Sequence, residues 1–105
     1  QAIVLREYGL PIDSFEKLYL AGGFANYVDE LNAVDIGFIA NVPHEKIEKI
    51  GNAALEGAVI MLLSTAKRDE IEKLTATIEH VELETAPDFF DFFVEGCHFK
   101  PMENV

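Results

Sequence analysis

The stretch Lys17-Leu18-Tyr19-Leu20-Ala21-Gly22-Gly23-Phe24 decides how this chain is to be read. After the leading lysine the residues are apolar and aromatic, the character of a buried strand, and the glycine pair stops that strand abruptly. With no Cβ on either glycine, the backbone there can come close to a ligand. The same pair is also ordinary tight-turn chemistry, because glycine adopts backbone angles that other residues avoid. Both meanings stand at this point. A strand running straight into two glycines is nonetheless the first element able to serve chemistry.

Toward the N-terminus, Gln1 to Tyr8 predicts a helix ended by Gly9, with Pro11 barring its continuation and Ile12 to Glu16 forming a short connector. The chain opens on Gln1, and Ala2-Ile3-Val4-Leu5 has the look of the middle of an apolar helix. The expectation is a cut or processed end, so that residues 1–105 form a single domain, the C-terminal fragment of a larger protein.

Toward the C-terminus, Leu31, Val34 and Ile36 suggest a short helix stopped at Gly37, and Asn41 and Pro43 mark a loop. A second strand is expected over Glu45 to Ile50. Gly51-Asn52 then opens a helix through Leu63 that is apolar almost all round and is expected to be buried on most sides. Ser64 caps a further helix with Ile71, Leu74 and Ile78 on one face. His80-Val81-Glu82-Leu83-Glu84 alternates like a half-exposed strand. Thr85-Ala86-Pro87-Asp88 has the form of a capped helix start, after which Phe89, Phe92 and Phe93 share a face. His98 to Val105 has the composition of a tail. Strands and helices intermixed in this way predict an α/β fold, with a mixed sheet and helices packed on it.

The 105 residues are 50% hydrophobic, enough for one compact domain that buries about 65% of its unfolded surface. Nineteen acidic residues against eight basic give a net charge of -11, a field that repels nucleic acid and an acidic membrane surface. No secretory signal is expected, because Gln1 opens no positively charged stretch followed by an apolar core, and the longest apolar run, Ala58 to Leu63, is far short of a membrane span. A single cysteine, Cys97, excludes an internal disulfide and fits the cytoplasm. His44, His80 and His98 are scattered with no convergent ligand spacing, so no metal site is expected. Asp88, Asp91 and Glu95 fall at i, i+3 and i+7, where a carboxylate stripe opposite a phenylalanine face is the solvated side of a helix. Gly57 with Ala53, Ala54 and Ala58 makes a small-residue helix face suited to close packing. No Walker loop, dinucleotide fingerprint or catalytic triad pattern occurs.

The order of four motifs carries more than any one of them. Leu20 to Tyr27, Asn32 to Gly37, Gly51 to Ala58, and Val81 to Glu84 with Pro87-Asp88-Phe89 resemble the C-terminal part of the reductive activators of corrinoid proteins, over nearly the whole chain from Ile3 to Phe99. Those are ferredoxin-like ATPases similar in fold to the actin, hexokinase and heat-shock-chaperone superfamily. The resemblance implies part of an RNase H-like subdomain in which a strand followed by Gly-Gly passes the nucleoside of ATP. Gly22, Gly23 and Phe24 would then line the nucleoside, and the helix from Asn52 would lend contacts at the subdomain hinge. It implies ATP with Mg²⁺ and an iron–sulfur cluster in the parent protein, the cluster lying outside this chain, which has one cysteine. It implies as partners the remainder of the parent chain and a corrinoid protein, and leaves room for a homodimer. Catalysis is not expected from this piece alone, since the phosphate loops are elsewhere. The rival from a different class is a non-catalytic module whose acidic surface and Phe-rich helix dock a corrinoid protein or partner subunit.

Overall fold

The computed structural model describes residues 1–103. Its first half is built by local signals. Helix α1 (Ala2–Glu7) ends at Tyr8, and Gly9, at φ +63°, donates to the Arg6 carbonyl while Leu10 donates to Leu5, both at 3.0 Å. This is the Schellman termination, which needs a residue free to take left-handed backbone angles at that position. A 3-10 turn at Ile12–Ser14 leads into strand β1 (Leu18–Ala21). Helix α2 (Glu30–Asp35) starts at Asp29, whose carboxylate accepts from the Asn32 N–H at 2.9 Å, and ends in a second Schellman turn around Gly37. A 3-10 turn at His44–Lys46 then feeds strand β2 (Ile47–Gly51).

The two strands pair in parallel, with Leu18 opposite Ile47, Tyr19 opposite Glu48 and Leu20 opposite Lys49. The register then slips, so that Ala21 stands opposite Gly51 and Ile50 becomes an extra residue in β2. One face of the sheet carries Leu18, Leu20 and Ile47 against a small core of Leu5, Ile12, Ala33, Ile39, Ala40 and Val42. Two lysines fasten the connections to β2. Lys46 Nζ donates to the Asp13 and Phe15 carbonyls at 3.1 and 2.5 Å, and Lys49 Nζ to the Val28 carbonyl at 2.6 Å. The other face carries Tyr19 and the Lys17–Glu48 ion pair and is open to solvent.

The second half differs from the expectations in four places. Helix α3 (Ala53–Leu63) forms as predicted but has no buried residue, and Leu62 and Leu63 are 77% and 79% exposed. Its apolar composition demands cover that residues 1–103 do not give it, and a Cβ placed on Gly57 would meet nothing within 4 Å beyond its own helix. Helix α4 (Thr65–Thr75) is capped as expected by Ser64, which accepts from the Lys67 N–H at 3.2 Å, but Ile78 lies beyond its end. His80 to Glu84 is not a strand. It is irregular and tightens into a 3-10 turn at Leu83–Thr85, because a strand needs a neighbour to pair with and neither β1 nor β2 lies alongside it.

The fourth difference concerns the start of helix α5 (Phe89–Gly96). Thr85 does not cap it, since its hydroxyl donates instead to the Glu82 carbonyl at 2.9 Å. The N-cap is Asp88, whose side chain makes no cap bond because its carboxylate is bound to the Arg6 guanidinium of α1. Phe89, Phe92 and Phe93 do share a face, lining a groove of about 510 Å³ with Ile3 and Met102. The segment after α5 is anchored through Met102, which packs on the core, and a Cβ on Gly37 would lie 2.2 Å from the Lys100 carbonyl oxygen. Of the expected tail, Asn104 and Val105 lie outside the described residues. Among the described residues no helix is long and apolar enough to cross a membrane. The α/β class holds, with helices around a small parallel sheet.

Candidate functional site

Parallel strands end on the same side of a sheet, and ligands of open α/β folds bind outside their carboxyl ends. Here both carboxyl ends are glycine corners. Gly22, at φ +106°, closes β1, and Gly51, at φ +64°, closes β2. The Gly22 N–H donates to the Gly51 carbonyl at 2.7 Å, so two corners 29 positions apart in sequence form one rigid junction. Left-handed angles at both positions turn the chain away from the sheet at once, which a residue with a Cβ would do only under strain.

Beyond Gly22 the backbone makes a compact turn. Ala25 donates to the Gly22 carbonyl at 3.1 Å, Tyr27 and Val28 donate to the Phe24 carbonyl at 2.9 and 3.2 Å, and the turn is pinned inward by Ala25, which is buried. The aromatic rings on either side of that anchor project out: Phe24 is 87% exposed and Tyr27 88%. Gly23 does not sit in the left-handed region, and a Cβ placed on it would meet nothing within 4 Å. Beyond Gly51, Asn52 caps α3, its Oδ1 accepting from the Leu55 N–H at 3.1 Å. The Asn26 amide reaches across the junction, its Nδ2 and Oδ1 lying 3.9 and 4.0 Å from where a Cβ on Gly51 would be.

All four residues singled out from the sequence therefore come to one place: Gly22, Gly23 and Phe24 on the β1 corner, Asn52 on the β2 corner. Asn26, Tyr27 and Gly51 join them. The resemblance gives Asn26 and Tyr27 no role and Gly51 only the start of the hinge helix; the signal that finds them at the site is the three-residue spacing of Phe24 and Tyr27 across a turn, together with a second glycine at a predicted strand end.

The chemistry available at the junction is narrow. Residues 22–27 and 51–52 carry neither carboxylate nor cation. Lys49, two residues before Gly51, has its ammonium on the Val28 carbonyl and 3.4 Å from Glu30, which also holds His44 at 2.6 Å. The junction thus offers backbone N–H and C=O groups, two aromatic faces and two amides, suited to a sugar and a base and not to proton transfer. Among the described residues, the pair whose titration is shifted lies elsewhere. The Arg6 guanidinium, hydrogen-bonded to Asp88, holds that carboxyl below the ordinary carboxylate range, and its own pKa is raised by the same bond. That pair ties α1 to α5. His80 lines a separate concavity with Glu7, Glu79 and Glu82, His98 lies 3.4 Å from Glu95, and Cys97 is exposed at the end of α5.

Comparison with known proteins adds two findings. Residues 1–105 match the family described as the C-terminal domain of RACo, the ASKHA domain. The corrinoid activation enzyme RamQ of Eubacterium limosum is 30% identical over 97 residues, which is 92% of this chain and 16% of that relative's length.

Proposed function

The chain belongs to the family of C-terminal ASKHA domains of RACo, and from that premise we propose that it supplies the adenosine-side wall of the nucleotide cleft in an ATP-dependent reductive activator of corrinoid methyl-carrier proteins. The observation that carries the reading is the bonded junction of Gly22 and Gly51 at the carboxyl ends of two parallel strands, flanked by open space over Gly23. The relative's name, a corrinoid activation enzyme, supports the choice of client. Since this chain spans 16% of that relative's length, ATP turnover and reduction are assigned to the larger protein, which is the partner this wall closes against.

The fit to the implied groups differs from one to the next. A nucleoside fits the junction, where backbone groups and aromatic faces meet without a blocking side chain. Phosphates and a bound Mg²⁺ find no cation or carboxylate in residues 22–27 or 51–52, so in this reading other parts of the protein hold them. An iron–sulfur cluster does not fit this chain, because Cys97 is its one cysteine and clusters are held by several. What the chain's own residues do is bind and orient the nucleoside.

The test is calorimetry of ATP with Mg²⁺ on the full-length protein carrying Gly23→Val. Gly23 has ordinary backbone angles and room for a side chain, so the substitution leaves folding intact while placing a branched group where the nucleoside is to lie. Loss of ATP affinity by tenfold or more, with the melting temperature kept, is the expected result. Unchanged affinity sinks the reading.

The docking alternative draws on one observation, the exposed Phe90 and Phe93 rings stacked at 6.5 Å on α5. It requires Phe90→Ser with Phe93→Ser to abolish retention of a corrinoid protein in a pull-down while ATP binding is kept.

A further inference from the structure

We propose that Lys49 is a positioning residue for the nucleoside wall, fixing the far end of the turn after Gly22 to strand β2, an inference that rests on the nucleoside reading given above. The turn is already tied to β2 at its start, where the Gly22 N–H donates to the Gly51 carbonyl at 2.7 Å. Its other end is Val28. The Val28 carbonyl precedes the Asp29 cap and so stands outside the ladder of α2, in which the Asp29 carbonyl accepts from Ala33. A backbone acceptor so placed needs a partner from elsewhere in the chain. Lys49 supplies it: from the ladder position opposite Leu20, its Nζ donates to the Val28 carbonyl at 2.6 Å. Residues 49 and 51 of one strand thereby secure both ends of the turn, with Gly23, Phe24 and Asn26 between them.

The ammonium is in turn kept in place by Glu30, in the first turn of α2. One carboxylate oxygen lies 3.4 Å from Lys49 Nζ and the other 2.6 Å from His44 Nε2, and the Glu30 side chain is 16% exposed. A hydrogen bond with an ionised donor is stronger than a neutral one, and Lys49 is sheltered enough to keep it. A turn anchored at one end samples several arrangements, and apparent affinity falls with the fraction of them that suits the ligand. The second anchor raises that fraction without any contact between Lys49 and the nucleotide. Lys46 offers an internal comparison. It makes the same kind of bond, to the Asp13 and Phe15 carbonyls, but on the connector that enters β1, at the end of the sheet away from the glycine corners.

The experiment measures the affinity of the full-length protein for ATP and for tripolyphosphate, together with the melting temperature, in Lys49→Met, Lys49→Arg and Lys46→Met. Lys49→Met is expected to weaken ATP about fivefold and to leave tripolyphosphate binding as it was. Lys49→Arg should restore ATP affinity, since it keeps the charge and the N–H donors. Lys46→Met should lower the melting temperature while ATP affinity stays at the parent value. The gentler Glu30→Gln, which leaves the lysine present, should still quicken amide exchange at Tyr27 and Val28. Unchanged exchange there, or equal ATP losses in Lys46→Met and Lys49→Met, would overturn the positioning role, the latter by showing a general loosening of the fold. Equal loss of ATP and tripolyphosphate in Lys49→Met would overturn it too, by making Lys49 a phosphate partner. Parent-like ATP affinity in Lys49→Met, with affinity lost in Gly23→Val, would reject the second anchor and leave the glycine wall standing. Unchanged affinity in Gly23→Val would remove the nucleoside reading itself, and this inference with it.

Discussion

Asp88 shows what a single residue can be diverted to do. It takes the N-cap position of α5 where Thr85 is the expected cap, yet its carboxylate is bound to Arg6, 82 positions earlier, so the helix starts without a side-chain cap and α1 gains a tie to α5. Bonding to the guanidinium lowers the pKa of Asp88 in the folded state. A depressed pKa means that the contribution is fully present above the ordinary carboxylate value, about 4, and is lost as pH falls from there through the folded value. Acid titration followed by amide exchange should therefore show α5 loosening from α1 in that window. Asp88→Asn should show the loosened state already at neutral pH and no further change there. Both groups are partly exposed, so the effect is local and not a global unfolding. Nothing near Asp88 in sequence reveals this pairing; local pattern suggests a helix start capped by Thr85 and a solvated carboxylate at Asp88, and it takes the fold to bring Arg6 within reach.

At the scale of elements, starts and stops were legible where the bonds that satisfy them close within a few residues. Asp29, Asn52 and Ser64 each accept from a backbone N–H three positions on, and Gly9 and Gly37 each close a Schellman turn. The expected strand at His80 to Glu84 failed for the complementary reason. A helix carries its own partners, whereas alternation in a strand means nothing until a second strand supplies the ladder. The site was legible to the same extent: the strand and glycine pair were visible, but the bond from Gly22 to Gly51 belongs to the pairing of two strands. Asn52 permits a clean test at this scale. Asn52→Ala should lower thermal stability by about 1 kcal/mol through loss of the α3 cap, and Asn52→Asp should keep it, as read from melting curves. Equal losses in both would show that the cap contributes little and that the side chain matters for another reason.

Taken whole, the molecule exposes more than its mass warrants. A compact protein of 11.7 kDa exposes about 5,900 Å², whereas this chain exposes 8101 Å². Its radius of gyration is 16.1 Å, against about 13 Å for a compact domain of this length. The expectation of one compact domain was drawn from composition, which counts apolar residues without saying where their cover comes from. Helix α3, apolar almost all round and without a buried residue, adds to the exposed area, as does the bare face of a two-stranded parallel sheet, an element normally covered on both faces. In isolation the chain should bind an apolar fluorescent dye and self-associate with rising concentration despite its charge of -11. Leu62→Lys with Leu63→Glu should weaken both while far-ultraviolet dichroism keeps the helix signal. Dye binding unaffected by that pair would place the sticky surface somewhere other than α3.

Ile50, the extra residue in β2, carries a consequence for how such a chain can vary over time. Removing it would leave hydropathy, charge and helix content almost unchanged, so by composition the loss looks harmless. Yet the ladder would then run regularly from Leu20 to the corner, and Gly51, Asn52 and all of α3 would arrive one step early and rotated relative to Gly22. The identity of the residue at 50 is more open to substitution than its presence, since its side chain is 37% exposed and outside the core. Lineages that keep the junction should therefore drift freely in what they write at this position and never in how many letters they use to reach the glycine.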